Sequence, residues 1–437
     1  MKIGAKCPLG VGLPELSLAL LVTLGVAGCG GDDASSVDAG SSTTAGEGSG
    51  SSGASAGGGA GEGSGPSEAP AFVLGTRVWD DVTITSYFHV VGSLAAGTEI
   101  DESRALEQPG AAKLVALPEI DWFGLHSGEE PVVTRYTLGA GGRLVAGKSM
   151  SLLNYGVEGL WDTHYVVSST KAYYADRAGE QLIIWNPGEM RVLGTIPLPD
   201  TQREGYLALY GYAPIVRGNS LLISVGWFDW EESDSVLGET GLVEIDTETD
   251  SVVGFEVDDR CGGVTQPITL PSGDTLLANS ALAGVAHRLD RLTTRPCALM
   301  VRESETVFDA DYLAELDAIT GFDIVGEPIP AGGSTVFLRA FDDSLADVIE
   351  DGFTWDTTGQ LGWHWLRWDV ATDAIEAMAE LEPAKADVVW FQTDGHTYGM
   401  QTNADDSESQ LVDLTVAGGP QNRLLAPGFL HGVARVR

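Results

Sequence analysis

Positively charged residues are scarce in this 437-residue chain. It has 24 lysines and arginines against 63 aspartates and glutamates, which gives a formal net charge of -39. Nucleic acid binding needs a basic footprint on the protein, so the composition argues against a nucleic acid partner. The same deficit argues against docking of the folded part on anionic lipid.

Metal-binding and catalytic motifs are also missing. The 7 histidines are scattered, and the chain has no HExxH motif, no CxxC motif and no EF-hand calcium loop. The acidic run 229–234 could hold a structural Ca²⁺, although a solvated loop is the favoured interpretation. Matches to GxGxxG at 48–53 and to GxSxG at 53–57 lack the flanking strand and helix that these motifs need. We therefore predict no catalytic residue, no metal ligand and no cofactor, and expect a protein that is not an enzyme.

The N-terminal apolar run, residues 16–25, is too short to cross a bilayer, which needs about 20 residues. It follows two lysines and fits the h-region of a signal peptide. It ends at Val26-Ala27-Gly28-Cys29, which resembles the lipobox of bacterial lipoproteins. We predict a signal peptide at 1–28 and lipidation of Cys29. An ordinary signal peptide, with Cys29 unmodified, is the alternative.

Large side chains are nearly absent between residues 30 and 71. This segment has no lysine, arginine or aromatic residue, and Val37 is its single large aliphatic residue. Such a sequence cannot bury enough apolar surface to order itself, and its reach is about 35 Å. The expected organisation is a lipidated, disordered tether over 29–71 and a folded domain over 72–437. The residue directly after Cys29 is glycine and not the aspartate that retains some lipoproteins in the inner membrane, so we expect outer-membrane sorting. Which side of the membrane the domain faces stays open.

Cysteine is rare as well. Of 4 cysteines, Cys7 leaves with the signal peptide and Cys29 is acylated, which leaves Cys261 and Cys297. Two thiols in an oxidising compartment indicate one disulfide, worth roughly 4 kcal/mol in the chain-entropy model. Two separately buried thiols are the alternative.

Short apolar runs separated by Gly, Asp, Asn and Pro indicate many short strands. Helical periodicity is hinted at only over 312–319 and 371–381. A hairpin phrase recurs in which an apolar strand end precedes Asp or Asn, with Thr or Glu three residues later. The phrase occurs at Trp185, Ile245 and Trp368, and weaker strand ends lie at Tyr136, Leu299 and Val412.

These six markers recur at a spacing that suits propeller blades of about 40–50 residues with insertions. A seventh blade would be closed by the strand near Ile84 and the C-terminal run 428–436. The sequence thus predicts an all-β fold, a seven-bladed β-propeller. Rings of six or eight blades and a β-sandwich array are the alternatives. The phrase also occurs at Asp290 and Asp317, which leaves the register open over 303–330.

Several phrases together resemble propeller lipoproteins that accompany TonB-dependent siderophore receptors in myxobacteria and Bacteroidetes. The phrases are 86–87, 105–107, 185–187, 297–299, 308–312, 427–428 and 434–437. The resemblance implies an outer-membrane propeller that captures an iron-siderophore and passes it to a TonB-dependent receptor.

A catecholate-like siderophore would stack on aromatic rings and need arginine or lysine for its charge. The candidate ligand-binding residues are Trp122, Trp161, Trp227, Trp363, Lys171, Arg217 and Arg339. Two other functions stay open. One is a non-enzymatic interaction propeller that organises envelope proteins, and the other is a propeller hydrolase or lyase with a central metal.

Overall fold

The computed structural model describes residues 71–79, 83–115, 122–230, 233–386, 389–393, 395–415 and 419–436, apart from the side chain of Thr265. The predicted signal peptide, Cys29 and the tether up to residue 70 lie outside this part of the chain.

Strands dominate the described residues and form seven antiparallel sheets, or blades. Blade 1 begins with β1 (Phe72–Trp79), β2 (Ile84–Val91) and β3 (Leu106–Pro109). Blade 2 contains β4 (Lys113–Val115), β5 (Trp122–His126), β6 (Val132–Leu138) and β7 (Leu144–Ser151). Blade 3 contains β8 (His164–Ser168), β9 (Lys171–Asp176), β10 (Gln181–Asn186) and β11 (Arg191–Pro197). Blade 4 contains β12 (Leu207–Tyr210), β13 (Ile215–Arg217), β14 (Ser220–Asp229), β15 (Ser235–Val236), β16 (Thr240–Asp246) and β17 (Ser251–Asp258).

The second half of the chain continues the pattern. Blade 5 contains β18 (Val264–Thr269), β19 (Thr275–Asn279), β20 (Cys297–Val301) and β21 (Ala314–Glu315). Blade 6 contains β22 (Val325–Gly332), β23 (Thr335–Phe341), β24 (Trp363–Asp369) and β25 (Ala374–Ala377). Blade 7 contains β26 (Trp390–Thr393), β27 (His396–Thr402), β28 (Glu408–Asp413) and β29 (Gln421–Pro427). The last strand, β30 (Phe429–Arg435), pairs with β1 and completes blade 1.

The ring is therefore a seven-bladed β-propeller, and the predicted fold is confirmed. Contacts of β30 with β26 and with β4 place this C-terminal strand on the inner side of blade 1. Pairing of β30 with β1 joins the two ends of the folded domain and locks the ring, while the outermost strand of each blade keeps a short edge. Because every blade has the same antiparallel order, the innermost strands all begin on one face. We call it the upper face.

The recurring hairpin phrase marks the outer hairpin of the blades. Trp185, Ile245 and Trp368 lie near the ends of β10, β16 and β24, each the third strand of its blade. The following Asn186 and Asp246 accept hydrogen bonds from backbone N–H groups of their own turns, at 2.9 Å and 2.8 Å. The weaker markers Tyr136, Leu299 and Val412 also lie on third strands.

The helices differ from the sequence prediction. A short helix, which we number α2 (Leu316–Thr320), falls partly within 312–319, whereas the hint over 371–381 is wrong because β25 lies there. Two helices were not predicted, α1 (Ala281–Arg288) and α3 (Thr354–Thr358), which pack together. Neither Asp290, after α1, nor Asp317, within α2, marks a hairpin. No helix among the described residues is long and apolar enough to span a membrane.

The hydrophobic core lies mainly between neighbouring blades. One cluster, for example, packs Tyr173 and Ile184 of blade 3 against Ile223 and Trp227 of blade 4. Cys261, just before β18, and Cys297, at the start of β20, form a disulfide with a Cα–Cα distance of 5.7 Å.

Candidate ligand site at the upper face

Three histidines from successive blades lie at the upper face. His431 is near the start of β30, His126 ends β5 and His164 begins β8. The ring centroids of His126 and His164 are 5.9 Å apart, and the positive charge on a protonated His126 would act on His431. We call these three residues the histidine cluster.

A β-bulge sets the position of His431. The pairing between β1 and β30 shifts between Gly75 and Thr76, so that His431 is the extra residue on its strand. Bulges re-aim side chains in this way. The imidazole packs edge-on against Phe88, with ring centroids 5.9 Å apart.

Five of the six ring nitrogens of the cluster are buried without a hydrogen-bond partner. Nδ1 of His126 and both ring nitrogens of His164 and of His431 have no hydrogen bond to the described residues. Burial lowers the pKa of His126 to about 3 and that of His164 to about 4. Burial, with the charges of Arg77 and Lys113, also lowers the pKa of His431 well below its ordinary value. All three imidazoles are consequently neutral at pH 7, and unpartnered buried polar atoms of this kind call for an explanation.

An ion pair lies beside the histidine cluster. Lys113, which begins β4, donates to Asp162, which lies two residues before β8, so the pair links blades 2 and 3. Both side chains keep contact with solvent, at 23% and 30% of their full exposure. Burial acts to raise the pKa of Asp162, but Lys113 and His126 hold it below its usual range. In turn, the carboxylate favours a proton on either neighbouring imidazole, because its charge raises the pKa of His126 and His164 against the effect of burial.

A second group of side chains, formed by Tyr174, Trp161 and Arg177, lies next to the histidine cluster. The ring of His164 lies 4.7 Å from that of Tyr174, whose hydroxyl accepts a hydrogen bond from the backbone N–H of Trp161 at 3.2 Å. Arg177 lies over the indole of Trp161, with its central guanidinium carbon 3.5 Å from the ring centroid. The upper face thus has neutral hydrogen-bonding groups next to cationic ones.

Of the seven residues predicted to bind a ligand, Trp161 alone belongs to this region. Trp227 and Trp363 are completely buried, and their indoles donate to backbone oxygens at 2.7 Å and 3.2 Å. Trp122 is buried beneath Arg135. Arg339 is buried against Trp365, with its guanidinium carbon 4.3 Å from the ring centroid.

The two remaining candidates, Lys171 and Arg217, bind residues of hairpins at the opposite face. Lys171 binds Asp250 at 2.9 Å and the backbone oxygen of Thr247 at 2.8 Å. Arg217 donates to the backbone oxygen of Gly273 at 2.7 Å. The structure therefore does not bring the predicted set together. The histidine cluster was missed because no local motif connects residues on three blades.

The described members of the acidic run are engaged by protein donors. Asp229 accepts from the backbone N–H of Ser233 at 2.9 Å, and Asp234 binds Arg291 and Thr354 at 2.5 Å and 2.6 Å. Residues 231–232 lie outside the described part. Within that part, no three His, Cys, Asp or Glu residues are arranged to hold a metal ion.

Comparison with known proteins supports the fold and no closer relationship. No protein-family model matches the chain, and no curated protein matches its sequence. Among solved structures, the periplasmic gluconolactonase of Pseudomonas aeruginosa has a TM-score of 0.53 at 10% identity, covering 84% of this chain and 99% of that one. A candidate 6-phosphogluconolactonase from Bacteroides uniformis has a TM-score of 0.50 at 8% identity, covering 84% and 99%. These identities show a shared fold alone.

The comparison corrects one expectation. We predicted a protein that is not an enzyme because the sequence has no recognisable catalytic motif. That prediction is wrong, since the similar structures include gluconolactonases and the fold is therefore associated with enzymes. A missing motif carries little weight when a site is assembled from single residues on several blades.

Proposed function

We propose that this chain is an exported, lipid-anchored hydrolase that opens a lactone ring at the histidine cluster. The observation that carries the proposal is the set of neutral, unpartnered imidazoles beside the Lys113–Asp162 ion pair. Perturbed titratable groups that gather at the mouth of a rigid scaffold are the usual sign of an active site.

The chemistry assigns a role to each group. Both ring nitrogens of His164 lack protein partners but are buried, so this role requires that the entering lactone and water reach them. A water oxygen then adds to the lactone carbonyl carbon as His164 takes the water proton. The Lys113 ammonium stabilises the negative charge that develops on the carbonyl oxygen. The ring C–O bond then breaks, and the imidazolium returns its proton to the leaving alkoxide. Asp162 stabilises the transient imidazolium through its negative charge.

The fold gives this reaction class independent support. The Pseudomonas aeruginosa protein of the same architecture is described as a gluconolactonase. At 10% identity none of its residues transfers to this chain, so the roles above rest on the geometry of the upper face. The predicted anchor at Cys29 and the tether would hold the activity at the outer membrane.

Turnover of a lactone panel by the full chain in detergent micelles tests the proposal. The panel contains δ-gluconolactone, γ-butyrolactone and an acyl-homoserine lactone, and acid release is followed above the spontaneous rate. We expect turnover that falls by about 100-fold or more in His164→Gln and Lys113→Met, as losses of a general base or an oxyanion partner do. His364→Gln, on β24 of blade 6, is the matched control and should keep its rate. No turnover above the spontaneous rate on any lactone contradicts the proposal.

Capture of a ferric siderophore for a TonB-dependent receptor is the second candidate function. Its support is the position of Trp161, the one predicted ligand residue at the upper face, where Arg177 lies over the indole. A catecholate could stack there and meet a cation. Saturable, iron-dependent quenching of tryptophan fluorescence that disappears in Trp161→Phe would support it. Equal quenching by iron-free siderophore would contradict it.

A further inference from the structure

Arg177 differs from the other arginines that lie over aromatic rings. Six such pairs occur among the described residues. In five of them the guanidinium also donates to a protein oxygen, and these are Arg135, Arg203, Arg302, Arg339 and Arg367. Arg177 has neither a hydrogen bond nor an ion pair within the described part of the chain.

None of the described residues forms a hydrogen bond or ion pair with Arg177, although the nearby charge of Asp176 favours its protonated form. Its sequence neighbour Asp176 is buried and accepts a hydrogen bond from Gln181 Nε2 at 3.0 Å. The hydroxyl of Tyr210 is paired with Thr201 Oγ1 at 2.9 Å, and that of Tyr174 donates to the backbone oxygen of Gly159 at 3.2 Å. Each of these polar groups already has a partner other than the guanidinium.

The Arg177 side chain nevertheless keeps its positive charge. Burial lowers the pKa of Arg177 to about 10, so the side chain is protonated at pH 7. A half-buried charge without an ionic partner is costly, and contact with an indole offsets only part of that cost. The guanidinium nitrogens are not among the buried unpartnered atoms, so they keep contact with solvent.

We propose that Arg177, supported by Trp161, is a binding site for the carboxylate of a small acidic ligand. The guanidinium lies against the indole at 3.5 Å and uses none of its N–H groups on the described residues, and a guanidinium can form two parallel hydrogen bonds to a planar carboxylate. The formal net charge of -39 repels anions overall, so binding of an anion requires a local cation such as Arg177. The site adjoins the histidine cluster through Tyr174 and involves the same two residues as the second candidate function, but it does not require lactone hydrolysis.

Calorimetric titration of the full chain in micelles with galacturonate tests the site, and galactose serves as the neutral match. We expect saturable binding of galacturonate and none of galactose. Arg177→Gln should weaken binding by about tenfold or more, the loss expected for a charge-assisted bidentate contact. Arg177→Lys should weaken binding by about threefold or more, because lysine keeps the charge but cannot donate two parallel hydrogen bonds. This second variant decides the outcome if the glutamine variant does not fold.

Arg203→Gln is the matched control, since Arg203 also lies over a ring, that of Trp227, but is paired with Glu239 at 3.2 Å. It should bind galacturonate as the wild type does. Equal affinities of wild type and both Arg177 variants overturn the inference, as does the absence of binding by galacturonate, citrate and benzoate alike. Binding that depends on Arg177 without any lactone turnover supports this site and argues against the proposed hydrolysis.

Discussion

Gly75 on β1 lies directly against the imidazole of His431 on β30. A Cβ atom built on Gly75 would come within 2.7 Å of Cε1 and 3.0 Å of Nε2 of that ring. The imidazole therefore fits because Gly75, near the start of the folded domain, has no side chain. The pairing of β30 with β1 that closes the ring also places His431 in the histidine cluster.

Substitution of Gly75 by alanine tests this relationship. The added methyl group must displace His431 or strain blade 1, and overpacking of this kind costs about 1–3 kcal/mol. Urea unfolding measures the loss, and lactone turnover should fall with it. Gly194→Ala on β11 is the control, because the nearest atom to a new Cβ there is 3.9 Å away. Equal effects of the two variants would show that Gly75 has no special relation to His431.

The stability of the protein should fall as the medium becomes acidic. The folded-state pKa is about 3 for His126 and about 4 for His164, whereas an unfolded histidine titrates near 6.5. Below about pH 6.5 the unfolded chain thus binds more protons. Each histidine removes about 1.4 kcal/mol of unfolding free energy per pH unit as the pH falls toward the folded values. Urea titrations at pH 7, 6 and 5 measure the slope, and His126→Gln should flatten it. An unchanged slope in the variant contradicts the assignment.

The ion pair between Lys113 and Asp162 should show coupling in a double-mutant cycle. Lys113→Met leaves a carboxylate beside neutral imidazoles, and Asp162→Asn removes the carboxylate that Lys113 binds, near Arg77. We expect the double variant to be more stable than the sum of the single losses predicts, with a coupling energy of about 0.5–3 kcal/mol. Chemical unfolding of the four proteins gives this number. Strict additivity would show that the two side chains do not interact.

The disulfide between Cys261 and Cys297 should contribute measurably to stability. It closes a loop with a sequence separation of 36 residues, and the chain-entropy model gives roughly 4 kcal/mol for such a loop. We expect Cys261→Ser with Cys297→Ser to unfold at lower urea concentration than the wild type. Addition of a reductant should bring the wild type to the midpoint of the variant. A wild-type midpoint that is insensitive to reductant would contradict the prediction.

Much of the fold could be predicted because blade structure is encoded locally. Asn186 and Asp246 accept hydrogen bonds within their own turns, so the same short phrase produces the same hairpin in different blades. The short helices were harder to predict. α1 begins where the side chain of Ser280 accepts from the N–H of Ala283, yet its existence also depends on packing against α3 from the next blade.

The candidate site could not be predicted in the same way. His126, His164 and His431 belong to three blades, and His431 reaches the other two only after β30 has paired with β1. Of the predicted ligand residues, Trp227 and Trp363 are buried between blades, because large aromatic side chains supply most of the apolar area that the core requires. The sequence pattern does not distinguish a tryptophan that packs in the core from one, such as Trp161, that lies under an arginine.

By itself the sequence determined the strand-and-turn pattern and the acidic composition, favoured seven blades over six or eight, and predicts an exported, tethered chain. These features depend on residues that are neighbours along the chain or on the overall composition. Only the tertiary structure decided which polar side chains lose water, which ones meet across blades, and that Arg177 forms no hydrogen bond within the described part of the chain. Burial and long-range contact exist only after the ring closes, and they are what hold the histidines neutral and leave Arg177 open to a ligand.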